Sequence, residues 1–420
     1  MADHDLLACS SAHKTSLSAA TAHTHPPSLL TSAEPCFTLS PDRVEARQIT
    51  ERGGNTVDEQ TVLSDKEKLT ALVYGDTFSL YDDHAFDEFV RPLYRRLDAN
   101  SIPRSTFHSA RCLDAGCGGG RGSVLMAECG AREVVAVDLS EKNVACLRQR
   151  ARARGLSTIT CLRNSLMDLP FRDDAFDVVW CNGVLHHTAD PDRGLREITR
   201  VLKPGGRLWL YLYGAGGVYW RVIYWIRETL SRADLRRTIY QLRLMGMPVR
   251  RIAEWIDDWF VPYLRTYTAD DVTSRLAELG HQHTDPLAYG MGYDTSQRKV
   301  GADATEQELM GEGDLRFFCV KAGPSSGHQS PLPDPPGGHG SAYQDAPCVA
   351  RADKPLRRIA AALTALETHA DTDPQAYRVL VCRLVHERVR GLLETDGPLD
   401  LPAYIDYLSR LADLLDEMAS

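Results

Sequence analysis

The feature that most constrains this chain is a glycine-rich turn directly after an apolar stretch, at residues 111–122 (RCLDAGCGGGRG). The stretch before the turn has the composition of a buried strand, and a helix-like segment, SVLMAECG, follows it. Glycine has no Cβ, so Gly116, Gly118, Gly119 and Gly120 allow a tight turn and a close approach of the backbone to a ligand. The sequence therefore predicts a strand–turn–helix unit that binds a ligand through its backbone.

Two carboxylates near this turn narrow the class of ligand. Asp138 ends the next apolar run, EVVAVD, where it can accept hydrogen bonds from both hydroxyls of a ribose. Asp114 stands before the glycines, where its charge would repel a pyrophosphate but suits an amino group. A glycine pattern alone would equally suit a dinucleotide. The two acids favour a nucleoside that carries a cationic group.

Short apolar runs alternate with amphipathic segments between residues 110 and 322. The runs are RCLDAG, EVVAVDLS, TITCLRNS, FDVVWCNG, GRLWLYLYG and LRFFCVKAG. Such alternation predicts an α/β fold with a mostly parallel sheet covered by helices on both faces. Ligands of such sheets bind at the carboxyl ends of the strands, where the glycine turn lies.

The rest of the chain divides by composition and periodicity. The start is rich in Ala, Ser, Thr, His and Pro, which predicts disorder, and a Pro/Gly/Ser stretch after the last apolar run predicts a linker. Apolar residues at helical spacing predict helices before the first strand and after the linker. The expected organisation is a disordered tail (1–60), an α/β domain (61–322) with cap helices (65–98) and a helical insertion (216–275), a flexible linker (323–353) and a helical module (354–420).

Composition excludes some classes of protein. The chain has 420 residues and a formal net charge of −9, which argues against nonspecific binding to nucleic acid. No apolar run approaches the length of about 20 residues that spans a membrane, and the first residues lack the pattern of a signal peptide. The cysteines show no metal-ligand spacing, so no metal is expected, and reduced thiols in a cytoplasmic protein are the favoured interpretation.

Four motifs in order give the chain a resemblance to a known family. DAGCGGGRG, VVAVDLS, LPF…FDVVWCNGVLHH and LKPGGRLWL resemble the motifs of class I S-adenosylmethionine-dependent methyltransferases. The resemblance is strongest to the branch that includes ubiquinone and menaquinone biosynthesis and many natural-product enzymes, and it covers about residues 108–322. It implies a Rossmann-like sheet of seven strands whose last strand is antiparallel, and LRFFCVKAG fits that strand.

The resemblance also implies which residues bind S-adenosylmethionine. Asp114, Gly116 and Gly118 would contact the methionine part, Asp138 the ribose, and Leu139 the adenine. Many relatives have an acid where this chain has Ser165, so adenine recognition would depend on the Ser165 hydroxyl and the Leu166 backbone. The full predicted set is Asp114, Gly116, Cys117, Gly118, Asp138, Leu139, Ser165, Leu166 and Asn182.

The residues that would contact the methyl acceptor are predicted from their positions at the ends of strands rather than from a motif. His186 and His187 follow the fourth strand, where an imidazole could act as a general base, and Tyr213 ends the fifth strand. Both histidines could instead simply shape the loop, and Tyr213 could simply pack. Tyr74, Tyr81 and Tyr263 are expected as walls of the substrate pocket.

The helical insertion and the C-terminal helices each allow more than one interpretation. Residues 218–265 contain nine arginines against five acids, which fits a nucleic-acid surface, an interfacial membrane helix or, as favoured here, a cap whose arginines face solvent. The C-terminal helices would form either an accessory bundle with its own core or a dimerisation module. The expected partners are a small molecule and a second copy of the chain, held through these helices or the cap.

The sequence thus predicts an enzyme that methylates an N, O or C atom of a small polar metabolite in specialised biosynthesis, free amino and guanidino compounds included. Two alternatives stay open. One is a methyltransferase of RNA or protein, with the arginine-rich insertion as the docking surface. The other is a cofactor-binding regulatory or scaffold protein without turnover.

Overall fold

The computed structural model describes residues 63–287, 304–323, 347–369, 373–393 and 401–419. The predicted tail (1–60) and most of the predicted linker (323–353) lie outside the described residues. The described part of the chain contains a seven-stranded sheet. Its strands are β1 (Arg111–Ala115), β2 (Glu133–Asp138), β3 (Ile159–Arg163), β4 (Phe176–Asn182), β5 (Leu202–Tyr213), β6 (His281–Gln282) and β7 (Asp314–Lys321).

The strand order is β3-β2-β1-β4-β5-β7-β6. The first five strands pair in parallel, and β7 runs antiparallel to both β5 and β6. This confirms the expected Rossmann-like α/β sheet with an antiparallel last strand. Strand β6, at the edge of the sheet, has only two residues. The sequence did not predict it, because so short a segment shows no periodicity.

The sheet is buried on both faces, which explains why its strands read as continuous apolar runs rather than alternating ones. In β2, Val134, Val135, Ala136 and Val137 are all fully buried. Trp180 and Trp209 face each other across β4 and β5 with their rings stacked 4.5 Å apart.

The helices cover the sheet and extend beyond it. They are α1 (Asp65–Phe78), α2 (Asp83–Ala99), α3 (Arg121–Glu128), α4 (Glu141–Ala153), α5 (Pro191–Val201), α6 (Gly217–Thr229), α7 (Leu235–Leu244), α8 (Val249–Phe260), α9 (Ala269–Glu278), α10 (Ala304–Met310), α11 (Pro347–His369), α12 (Pro374–Leu393) and α13 (Leu401–Ala419). Helix α1 begins at a capping box in which Ser64 and Glu67 satisfy each other's backbone N–H groups. Among the described residues, no helix is both long enough and apolar enough to cross a membrane.

The predicted insertion divides between two cores. Helix α9 belongs to the core of the sheet, where Val272 and Leu276 are buried, whereas α6, α7 and α8 belong to a separate hydrophobic core. We call α6–α8 the lid helices. Helix α11 begins at Pro347, inside the segment predicted as a linker.

The C-terminal helices α11–α13 share the core of the lid helices instead of forming a core of their own. His386 of α12 stacks on Trp255 of α8 with ring centroids 4.4 Å apart, and Trp259 donates its indole N–H to His386 Nδ1. Arg390 of α12 forms a buried ion pair with Glu254 of α8 at 2.8 Å. These contacts tie the C-terminal helices to the helix that closes the site described next.

Candidate functional site

A cavity opens at the carboxyl ends of β1, β2, β4 and β5 and is closed by α1 and α8. The empty space between its walls, with the open mouth included, is about 1190 Å³. Its lining residues include Glu67, Tyr74, Phe78, Asp114, Gly116, Cys117, Gly118, Arg121, Asp138, Leu139, Asn164, Ser165, Leu166, Met167, Trp180, Asn182, Val184, His187, Tyr211, Tyr213 and Asp257. All nine residues predicted to bind the cofactor are among them.

The glycine turn forms one end of the cavity. Gly116 and Gly118 have φ angles of +81° and +51°, a region that favours glycine. A Cβ on Gly116 would lie 2.4 Å from Val184 Cγ1, and one on Gly118 would lie 2.6 Å from Phe78 Cε2. No other residue fits either position without moving these neighbours, and both glycines line the cavity.

Asp138 lies at the end of β2 and is held by three hydrogen bonds. Its carboxylate accepts the backbone N–H groups of Gly118 and Ser140, both at 2.8 Å, and the side-chain amide of Asn143 at 3.2 Å. Burial raises the pKa of Asp138, and the bonds from Ser140 and Gly118 oppose that rise. The side chain thus fixes the glycine turn and lines the cavity at the same time.

Asp114 lies deeper, at the end of β1. Ser123 Oγ donates a hydrogen bond of 2.6 Å to its Oδ2. Burial raises the pKa of Asp114 to about 7 despite this bond. A carboxylate held in so unfavourable a place suits a ligand that brings a positive charge.

The opposite end of the cavity is built by the loop after β3. Ser165 Oγ accepts the backbone N–H of Met167 at 3.2 Å, so the loop is partly fixed by the side chain expected to face an adenine. Leu139 and Leu166 supply apolar surface there. Nearer the centre, Asn182 Oδ1 accepts the indole N–H of Trp209 at 2.9 Å, which orients the Asn182 amide.

The two predicted histidines have different surroundings. His187 lines the cavity, and its Nδ1 lies 2.9 Å from the carbonyl oxygen of Tyr263. Burial lowers the pKa of His187 to about 3, so the ring is neutral at ordinary pH. His186 is fully buried behind the lining and stacks on Tyr213 with ring centroids 3.9 Å apart. Tyr213 itself lines the cavity.

Of the three tyrosines predicted as pocket walls, one lines the cavity and two do not. Tyr74 of α1 lines the cavity. Tyr81 is not among the lining residues and packs between Phe78 and Phe89. Tyr263 is not among them either, because it contributes its backbone carbonyl to His187 while its ring lies against Lys66 and Arg265.

Several lining residues were missed by sequence reasoning. Asp257 comes from the lid helix α8, Tyr211 from β5, and Arg121 from the first turn of α3. Arg121 lies next to the recognised glycines and could have been suspected. Asp257 carries no local signal, since it reaches the cavity only because α8 packs against α1.

Comparisons with known proteins agree with this geometry. Residues 113–210 match the family model Methyltransf_11, described as a methyltransferase domain. The protein named Methyltransferase GfsG of Streptomyces halstedii is 33% identical over 125 residues, which are 30% of this chain and 42% of that protein. The 27-O-demethylrifamycin SV methyltransferase of Amycolatopsis mediterranei (strain S699) is 39% identical over 99 residues, 23% of this chain and 36% of that protein.

A solved structure titled as a SAM dependent methyltransferase from Aquifex aeolicus is 16% identical with a TM-score of 0.33, covering 58% of this chain and 100% of that one. The matched segments span less than half the length of the two curated relatives above. The family match covers the strands β1 to β5 that carry the glycine turn, Asp138 and the loop after β4. Residues 113–210 therefore form a class I S-adenosylmethionine-dependent methyltransferase domain.

Proposed function

We propose that this chain transfers a methyl group from S-adenosylmethionine to a small polar metabolite in specialised biosynthesis. The observation that carries the proposal is the single cavity that joins the glycine turn and Asp138 to an acceptor region lined by Tyr74, His187 and Tyr213. Lid and cap helices close this region, which suits a small acceptor better than a macromolecule. The two curated relatives named above are methyltransferases, and one is named for a methyl acceptor that is a natural product.

The residues present fit the cofactor. Gly116 and Gly118 line the cavity at positions where a Cβ would clash with Val184 and Phe78, and Asp138 has acceptor capacity beyond its three bonds. Asp114 would face the amino group of the methionine part, and Leu139, Ser165 and Leu166 would hold the adenine. The cofactor supplies a methyl group activated by a sulfonium, so the protein's task is to align the acceptor and exclude water.

His187 and Tyr213 are the candidates for orienting the acceptor. A carbonyl oxygen only accepts hydrogen bonds, so the contact with Tyr263 places the His187 proton on Nδ1 and leaves a lone pair on Nε2. Nε2 is therefore available to accept a hydrogen bond from an acceptor N–H or O–H. His186 would act by supporting the Tyr213 ring.

The pairing of the nine arginines in residues 218–265 supports a cap rather than a nucleic-acid surface. Seven of the nine form hydrogen bonds or ion pairs within the described part of the chain, with acids or with backbone carbonyls. Arg227, for example, donates to the carbonyl oxygens of Asp258 and Val261. Groups engaged in this way are poorly placed to bind phosphates.

The test uses the full chain with methyl-labelled S-adenosylmethionine and a cell extract separated into small-molecule, RNA and protein fractions. We expect label in the small-molecule fraction, with S-adenosylhomocysteine formed in equal amount. Label in RNA or protein would favour the macromolecular alternative. Saturable cofactor binding without label in any fraction would favour a scaffold or regulatory protein.

A further inference from the structure

The acceptor region of the cavity presents hydrogen-bond acceptors without partners. His187 is 3% exposed, and its Nε2 has no hydrogen-bond partner among the described residues. The same is true of the buried Tyr74 hydroxyl oxygen. Buried polar atoms are nearly always satisfied in folded proteins, and both residues line the same cavity, so the two unpartnered atoms indicate a ligand that donates hydrogen bonds.

Asp257 adds to this region a buried acid without an ion-pair partner among the described residues. Its Oδ1 accepts the backbone N–H of Asp258 at 2.8 Å, and within the described ranges no lysine or arginine forms an ion pair with it. Burial, and then the neighbouring Asp258, raise the pKa of Asp257 well above its usual range. Tyr74 and Tyr213 both lie within the electrostatic influence of Asp257.

The other acids of the lining already have partners or roles. Glu67 accepts from the backbone N–H and the hydroxyl of Ser64. Asp114 and Asp138 belong to the cofactor end. Of the described lining residues, Arg121 is the one arginine or lysine. It lies over the rings of Phe78 and Phe89, and its charge acts on Asp257 without forming an ion pair with it. Asp257 is thus the acid that a cationic ligand would neutralise.

We infer that the methyl acceptor is an amine, bound as its ammonium form between Asp257, Tyr74 and His187. The inference rests on the proposed function and names its substrate class. An ammonium group offers several N–H donors for the two unpartnered acceptors, and its positive charge stabilises the ionised form of Asp257, which burial otherwise disfavours. A neutral hydroxyl would satisfy one acceptor and bring no positive charge to Asp257.

The transfer follows from this arrangement. The ammonium gives one proton to the Asp257 carboxylate, and the neutral amine attacks the methyl carbon. An N–C bond forms as the S–C bond breaks, and its electron pair stays on sulfur, which gives S-adenosylhomocysteine and a methylated ammonium. Asp257 is therefore the catalytic residue that receives the proton, and Tyr74 and His187 hold the amine in line.

The experiment uses sinefungin, a cofactor analogue in which a carbon bearing an amine replaces the methylated sulfonium. It places an ammonium where the transferred methyl group faces the acceptor. Calorimetry on the full chain measures the ratio of its affinity to that of S-adenosylhomocysteine, which lacks the charge. We expect the parent to prefer sinefungin at least tenfold, Asp257→Asn to lose at least fivefold of that preference, and Asp257→Glu to keep it.

Asp270→Asn is the matched control, because it removes the same charge from an exposed position on α9; the preference should not change. A parent without the preference, or an Asp257→Asn variant that keeps it, overturns the amine inference and leaves the proposed function standing. Unchanged affinity for S-adenosylhomocysteine shows that a variant is folded. If the parent binds neither compound, the proposed function fails, and the inference fails with it.

Discussion

Asp138 is a residue with two roles that can be separated by experiment. We expect Asp138→Ala to weaken cofactor binding more than tenfold, because a charge-assisted hydrogen bond is worth about 1.5–3 kcal/mol. Asn143→Ala removes only one of the supporting bonds, so it should weaken binding less than threefold. Calorimetry with S-adenosylmethionine measures both. Equal affinity of the Asp138→Ala variant and the parent would show that Asp138 is only a structural support of the turn.

Gly120 tests the packing of the glycine turn against the helix that follows β2. Its φ is +93°, and a Cβ would lie 2.2 Å from Leu147 Cδ1. The left-handed backbone costs about 1–2 kcal/mol in any other residue, and the clash adds to this. We expect Gly120→Ala to lower the free energy of unfolding by about 2–4 kcal/mol.

Gly155 offers a matched control for that substitution. Its φ is +67°, but nothing lies within 4 Å of a Cβ built there. Gly155→Ala should therefore cost only the backbone strain, about 1 kcal/mol. Denaturant unfolding of both variants measures the difference, and equal losses would mean that the contact with Leu147 relaxes freely.

At the scale of elements, α12 positions α8. Arg390 and Glu254 are 2% and 9% exposed, and removing one partner of a buried ion pair commonly costs about 3–5 kcal/mol. Glu254 also accepts hydrogen bonds from Arg250 and Arg251, so its charge stays partly compensated when Arg390 is removed. We expect Arg390→Met to lower the free energy of unfolding by about 2–4 kcal/mol, as measured by urea titration.

Arg410→Met provides the surface comparison. Arg410 is 73% exposed and pairs with Asp406 on the same helix, an arrangement worth about 0–1 kcal/mol. If the two variants were equally stable, the Arg390–Glu254 pair would not hold α8 in place. Because α8 carries Asp257, we also expect Arg390→Met to change acceptor selection more than cofactor affinity.

The shared core of the lid and C-terminal helices bears on the expected dimer. Apolar residues of the C-terminal helices that could have formed a dimer contact are instead buried against neighbouring helices of the same chain. They include Ile359, Leu363, Leu408 and Leu415. Leu414 is 53% exposed and lies outside that core. A homodimer through the C-terminal helices or the lid therefore stays a prediction, and it would have to use exposed side chains such as Leu244, Leu384 and Leu414.

At the scale of the whole molecule, buried histidines make stability depend on pH. His281 of β6 lies 2.9 Å from Thr199 Oγ1, and burial lowers its pKa to about 4. Because the folded form binds the proton less readily than the unfolded chain, stability from His281 is present above about pH 6.5 and is lost as the pH falls toward 4. Acids whose pKa is raised, such as Asp114, act in the opposite direction.

Comparing the parent with His281→Gln separates the pH-dependent contribution of His281 to stability from that of the buried acids. The free energy of unfolding of the parent minus that of His281→Gln should shrink by about 2 kcal/mol between pH 7 and pH 4.5. Urea unfolding at several pH values provides the measurement. A constant difference for His281→Gln would show that the ring is not buried in its neutral form.

How much could be predicted from the sequence differs between the two ends of the cavity. The proposed cofactor end is made of residues that follow strands β1 to β4, and parallel strands bring their carboxyl ends to one edge, so order along the chain predicts their position. The proposed acceptor end is made by α1, β5 and α8, which are distant in sequence. That is why His186 and His187 could not be told apart and why Asp257 was missed.

The sequence by itself determined six of the seven described strands, the glycine turn and a set of predicted cofactor residues that all line the cavity, because periodicity, glycine positions and strand ends are local properties of the chain. Only the tertiary structure decided that His187 and not His186 faces the cavity, that Tyr81 and Tyr263 lie outside the lining, and that α11–α13 pack on the lid. The physical reason is that side-chain burial depends on long-range packing. Apolar stripes on two helices show that each needs a partner, but not which one it finds.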